Sequence, residues 1–69
     1  MSKYIIENQY GEVIDTVTSL KAAHRAVEQE MQCNTTKTLT ELKKEIKHFG
    51  HVAMPCCMDA SINFTIDKV

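Results

Sequence analysis

Between positions 48 and 57 the chain carries two histidines and two adjacent cysteines, His48, His51, Cys56 and Cys57, with a third cysteine, Cys33, further back. Such side chains bind metals or do thiol chemistry. A zinc site holds thiolates and imidazoles at tetrahedral angles and draws them in pairs from separate turns, as in C-x2-C or H-x3-H. Here the pairs are His-x-x-His and Cys-Cys. Neighbouring side chains on extended backbone point opposite ways, so Cys56 and Cys57 are strained as co-ligands of one ion. His48, His51, Cys56 and Cys57 are therefore minor metal candidates, and no cofactor is implied. The favoured reading makes the cysteines small apolar residues at the edge of a core.

A disulfide is the other use of these thiols. Cys33 can pair with Cys56 or with Cys57, closing a loop around the helix expected in between. In a reducing compartment such a bond is a redox switch rather than a staple. Catalysis is not expected. A nucleophile needs a base within hydrogen-bond reach and a group that orients the base, and no Asp or Glu lies between His48 and Cys57. Two glycines cannot build a phosphate cradle, and no G-x-x-x-x-G-K, G-x-G-x-x-G or H-E-x-x-H is present.

The other residues with chemistry to offer are cationic. Lys43, Lys44 and Lys47 lie within about two helical turns, with Lys37 just before them and His48 after. They suit an acidic protein surface or phosphates, although Glu41 and Glu45 partly neutralise them. No aromatic residue interleaves with the lysines in sequence to stack bases, which disfavours nucleic acid. The expected partner-binding set is Lys37, Lys43, Lys44 and Lys47 with the tyrosines Tyr4 and Tyr10.

These side chains need elements to hold them. Lys3–Glu7 and Glu12–Val17 are β-branched and aromatic runs separated by Asn8-Gln9-Tyr10-Gly11, which predicts a β-hairpin whose turn ends on a left-handed glycine. Thr18 or Ser19 then caps a helix over 19–32, with Leu20, Ala23, Val27 and Met31 at helical spacing. A second helix starts from a capping box of Thr38 and Glu41. Leu39, Leu42, Ile46 and Phe49 form its apolar stripe, and Gly50 ends it. His51–Met54 reads either as loop or as an extra short strand, near 52–58, that Pro55 ends. Residues 61–67 alternate Ile62, Phe64 and Ile66 with polar residues, the pattern of a strand with one wet face.

The expected fold is α+β, a single domain over 1–69 in the order β-β-α-α-β, with an antiparallel sheet and both helices on one of its faces. The other face carries some of Tyr4, Ile6, Thr16, Asn63 and Thr65, depending on register. Such a face, or an edge strand, is where a partner adds.

At 69 residues, with 43% hydrophobic and 25% charged residues, the composition is that of a globular chain. Only roughly 60% of the unfolded surface is buried at this size, too little to enclose a deep site. The net charge of −1 argues against binding nucleic acid through an overall basic surface and against acidic mimicry of DNA. No stretch reaches the ~18 apolar residues of a membrane span, and no export signal is visible. The odd cysteine count fits a reducing compartment, and the expected location is the cytoplasm of a bacterial host.

The run from Tyr4-Ile5-Ile6 through Glu12-Val13-Ile14 into Thr18-Ser19-Leu20-Lys21-Ala22-Ala23 resembles the opening of small bacteriophage accessory proteins, among them anti-CRISPR proteins and inhibitors of host polymerases. The resemblance covers about the first 32 residues. It implies a host-directed inhibitor that sterically blocks a larger protein or ribonucleoprotein complex, and it carries over no binding residue. The alternatives are a regulatory module that dimerises or binds nucleic acid through the second helix, and a zinc- or redox-responsive domain.

Overall fold

A computed structural model describes residues 2–59 and 61–69. The elements are β1 (Tyr4–Glu7), β2 (Val13–Val17), α1 (Leu20–Met31), α2 (Leu39–Phe49), β3 (His51–Pro55) and β4 (Asn63–Lys68). The four strands form one antiparallel sheet in the order β2-β1-β4-β3, which sets the first and last strands side by side in its centre. The expected α+β fold is thus present, with β4 following the strand that was ambiguous in sequence.

Local chemistry fixes the turns. The Asn8 carboxamide oxygen accepts the amides of Tyr10 at 2.9 Å and Glu12 at 3.0 Å. Gly11 then closes the hairpin at a φ of 80°, a region that a side chain penalises. Ser19 caps α1 by accepting the Ala22 amide at 3.2 Å. The capping box of α2 is complete: the Thr38 hydroxyl accepts the Glu41 amide at 3.2 Å, and the Glu41 carboxylate accepts the Thr38 amide at 3.3 Å. Both interactions satisfy amides that the first helical turn leaves without partners. Gly50 ends α2 in the left-handed region and donates to the Ile46 carbonyl at 2.9 Å.

Register decides which side chains face the helices. Ile6, Ile66 and Val52 pair across three strands, and Met54 pairs with Phe64; all five are buried. Ala23, Val27 and Met31 of α1 and Leu42 and Ile46 of α2 close the core over them. Burying one large aliphatic side chain contributes about 1.5–3 kcal/mol, so this single layer supplies most of what holds the chain folded.

One open alternative is settled and three expectations change. His51–Pro55 is a strand, since β4 offers a full register of partners from His51↔Asp67 to Pro55↔Asn63. The last strand runs 63–68 rather than 61–67, because Ser61 lies in a turn where Asp59 accepts its amide and hydroxyl. Tyr4 is in the core at 8% exposure, not on a binding surface; its partners in register are Val17 and Lys68, and its ring points under the helices. Phe49, expected in the apolar stripe of α2, is 61% exposed, because it sits one residue before the glycine that turns the chain into β3.

Candidate functional site

With both helices on one face of the sheet, the opposite face stands open. Odd-numbered residues of β1, β3 and β4 point there. One row reads Thr16, Ile5, Asp67, His51 and the next Val13, Glu7, Thr65, Ala53. Of the residues weighed for this face, Thr16, Asn63 and Thr65 lie on it, whereas Tyr4 and Ile6 do not. Thr16, Val13, Ala53 and His51 are exposed, and the central Ile5, Glu7, Thr65 and Asp67 are half-buried among their neighbours. Five of these eight positions are β-branched or small, and Asp67, His51 and Glu7 are the others. Glu7 and Asp67 form a diagonal carboxyl pair on this face, with His51 opposite Asp67 in register. A hydrogen bond that protonated Glu7 donates to the Asp67 carboxylate, partial loss of water and repulsion by that carboxylate raise the pKa of Glu7 above the ordinary glutamate value.

The sheet edges are less available than the face. On β2 the Asp15 carboxylate accepts the amide of Thr16 at 2.8 Å, occupying a donor that an added strand would need. A charged residue on a short edge strand is a common guard against edge pairing. On β3 the far end is covered by residues 34–36: Thr36 donates to the Pro55 carbonyl at 3.1 Å, Cys57 donates to the Asn34 carbonyl at 3.1 Å, and Thr35 bridges Cys56.

That covering segment is where the thiols lie. Cys33 and Cys56 are joined as a disulfide, and Cys57 is a free, exposed thiol. This corrects the reading of all three as free apolar residues. Strand alternation makes the choice between Cys56 and Cys57, because Val52, Met54 and Cys56 all face inward. The metal candidates are not assembled. His51 and Cys56 stand at opposite ends of one extended stretch, roughly 16 Å apart by strand rise, and Cys56 is bonded to Cys33. No group of three His, Cys, Asp or Glu side chains is close enough to hold an ion among the described residues.

The lysines divide. Lys37 is half-buried and pairs with Glu45, which withdraws it from the expected contact set. The backbone just before α2 is held by His24, whose Nε2–H donates to the Lys37 carbonyl at 2.9 Å, and by Glu28, which accepts the Thr35 amide at 3.3 Å. Lys43, Lys44 and Lys47 are exposed on α2. Tyr10 is 77% exposed at the hairpin tip. The tip lies at the end of the sheet where Gln9 accepts the Asn63 amide, whereas α2 ends beside Gly50 and Lys68 at the other. Tyr10 and the lysines are therefore not one patch.

The C-terminal corner of α2 contains what sequence order concealed. Lys44, Glu45, Lys47, His48 and Phe49 line a shallow hollow. The His48 ring meets Phe49 edge-on with centroids 4.5 Å apart, and the His51 ring is tilted against it at 6.4 Å. Lys68, exposed, adds a cation next to this corner, its amide donating to the Gly50 carbonyl at 2.9 Å. An aromatic residue immediately before a helix-ending glycine is the sequence signal that could have placed Phe49 outside the core. No described helix is long and apolar enough to cross a membrane. Compared with protein-family models, with curated proteins and with solved structures, the chain matches none.

Proposed function

We propose that this chain is a non-enzymatic binding module of the steric-inhibitor kind, which docks on a larger protein or ribonucleoprotein complex through the open face of its sheet. The observation that carries the reading is the placement of both helices on one side, which leaves the rows Thr16–Ile5–Asp67–His51 and Val13–Glu7–Thr65–Ala53 uncovered. An open sheet face rich in β-branched and small residues suits contact with another protein surface more than capture of a small molecule, which needs a concave site. The guarded edges direct the partner to the face instead of to strand addition.

Site-specific photocrosslinking tests this. A photoreactive side chain at Ala53, in the middle of the face, should crosslink to one discrete bacterial protein in lysate, and the same group at Arg25 on α1 should not. Thr65→Lys should abolish the Ala53 crosslink without lowering the melting temperature. Equal crosslinking from positions 53 and 25, or survival of the crosslink in Thr65→Lys, would remove the face from the mechanism.

A further inference from the structure

We infer that the C-terminal corner of α2 is a contact site for single-stranded nucleic acid, in which Phe49 stacks on a base while Lys44, Lys47 and Lys68 hold the flanking phosphates. This site lies beside the open sheet face and does not rest on it. Proteins that hold single strands without reading sequence combine cations along the backbone path with exposed aromatic rings, because every base offers a π-face. The lysines alone would be an ordinary solvated helix face. Phe49 changes that, because it is a large apolar ring, 61% exposed, beside those lysines, whereas the other exposed aromatic, Tyr10 at 77%, lies at the opposite end of the sheet.

His48 packs edge-on against Phe49 and His51 lies 6.4 Å away, while the ring remains 61% exposed. Local charge favours an anion. Lys44, Lys47 and Lys68 are exposed, whereas the carboxylate that lines the hollow, Glu45, is paired with Lys37. The formal charge of the whole chain therefore hides a cationic corner. Duplex is disfavoured, since its bases are stacked on one another and offer no free face to Phe49.

The test is fluorescence anisotropy of a labelled 12-nucleotide oligothymidylate with the full chain at low salt. Binding should weaken with added salt, with a slope of about −2 in a plot of log affinity against log salt if three lysines meet phosphates. Phe49→Ala should weaken it about tenfold, Phe49→Tyr should restore most of the loss, and the double variant Lys44→Glu, Lys47→Glu should abolish it. Arg25→Glu, on the far side of α1, should change nothing. All variants alter exposed residues, and circular dichroism melting checks that each is folded. Three results would overturn the inference: no binding by the unmodified chain, lysine dependence with no effect of Phe49→Ala, or equal binding to a hairpin duplex. Binding of a polyglutamate peptide in place of the oligonucleotide, with the same dependence on Phe49, would assign the corner to an acidic protein instead. Loss of oligonucleotide binding in Phe49→Ala with the Ala53 crosslink intact separates this site from the proposed protein contact.

Discussion

Cys33 and Cys56 tie the turn after α1 to the end of β3, so that the bond closes a loop containing the whole of α2. The two segments are already aligned by the backbone bonds Thr36 to Pro55 and Cys57 to Asn34, each 3.1 Å. The bond therefore acts mainly on the unfolded chain. With 23 residues of separation, chain-entropy arithmetic puts its contribution at about 3 kcal/mol. Adding reductant should lower the melting temperature by more than 10 °C, as Cys33→Ser should in the absence of reductant, whereas Cys57→Ser should leave it unchanged. Scanning calorimetry with and without reductant decides this, and coincident curves would mean that the bond contributes nothing to stability.

The carboxyl pair on the open face predicts a pH dependence. Asp67 raises the pKa of Glu7 by hydrogen bonding, with desolvation and repulsion in support. A raised pKa in the folded state means that the folded chain binds this proton more tightly than the unfolded chain does. The resulting stability is fully present below the ordinary glutamate value of about 4.3 and is lost as pH rises through the raised value. At pH 7 the pair is therefore a source of repulsion. Glu7→Gln should melt above the unmodified chain at pH 7, and the gap should shrink toward zero near pH 3.5. A Glu7→Gln chain that melts below the unmodified one at pH 7 would show that Glu7 is engaged by a cation instead.

Much of this architecture can be read from residue types. The hairpin follows from Asn8 and Gly11, and both helices follow from their caps and spacing, to within a residue at each end. What could not be read has specific causes. Tyr4-Ile5-Ile6 is apolar on both faces, so alternation alone cannot say whether Tyr4 or Ile5 points inward; pairing with β4 decides it. His51–Pro55 is short and ends in proline, and only its register with β4 makes it a strand. Phe49 continues the helical period of Leu42 and Ile46 but falls where Gly50 turns the chain away. The lysine face was legible, and its neighbouring aromatic was not, because sequence order hides which apolar residue a turn leaves outside.

The two ends of stability in α2 can be compared directly. Leu42 is wholly buried at the centre of the core, and Leu42→Ala should cost about 2–5 kcal/mol through lost burial and the cavity left behind. Thr38→Ala removes only the cap and should cost about 1 kcal/mol. For a domain whose whole stability is about 5 kcal/mol, the first change removes about half or more of it and the second only about a fifth. Urea titrations of the two variants would give midpoints in that order. A Thr38→Ala midpoint as low as that of Leu42→Ala would mean that the capping box nucleates the whole layer.

Gln32 and Gly50 make the last prediction, because the two helices end in the same backbone region with different residues. Gln32 has a φ of 57° and Gly50 of 80°. A side chain in the left-handed region costs roughly 1–2 kcal/mol, and glycine avoids that cost at the expense of about 0.4–1 kcal/mol of extra unfolded-state entropy. Gln32→Gly should therefore stabilise the chain by several tenths of a kcal/mol, while Gly50→Ala should destabilise it by about 1 kcal/mol, although a Cβ at Gly50 would meet no neighbouring atom within 4 Å. The Gly50→Ala loss would thus be conformational and not a clash. Paired urea melts of the two variants should move in opposite directions, and movement of both the same way would mean that backbone strain does not govern how these helices stop.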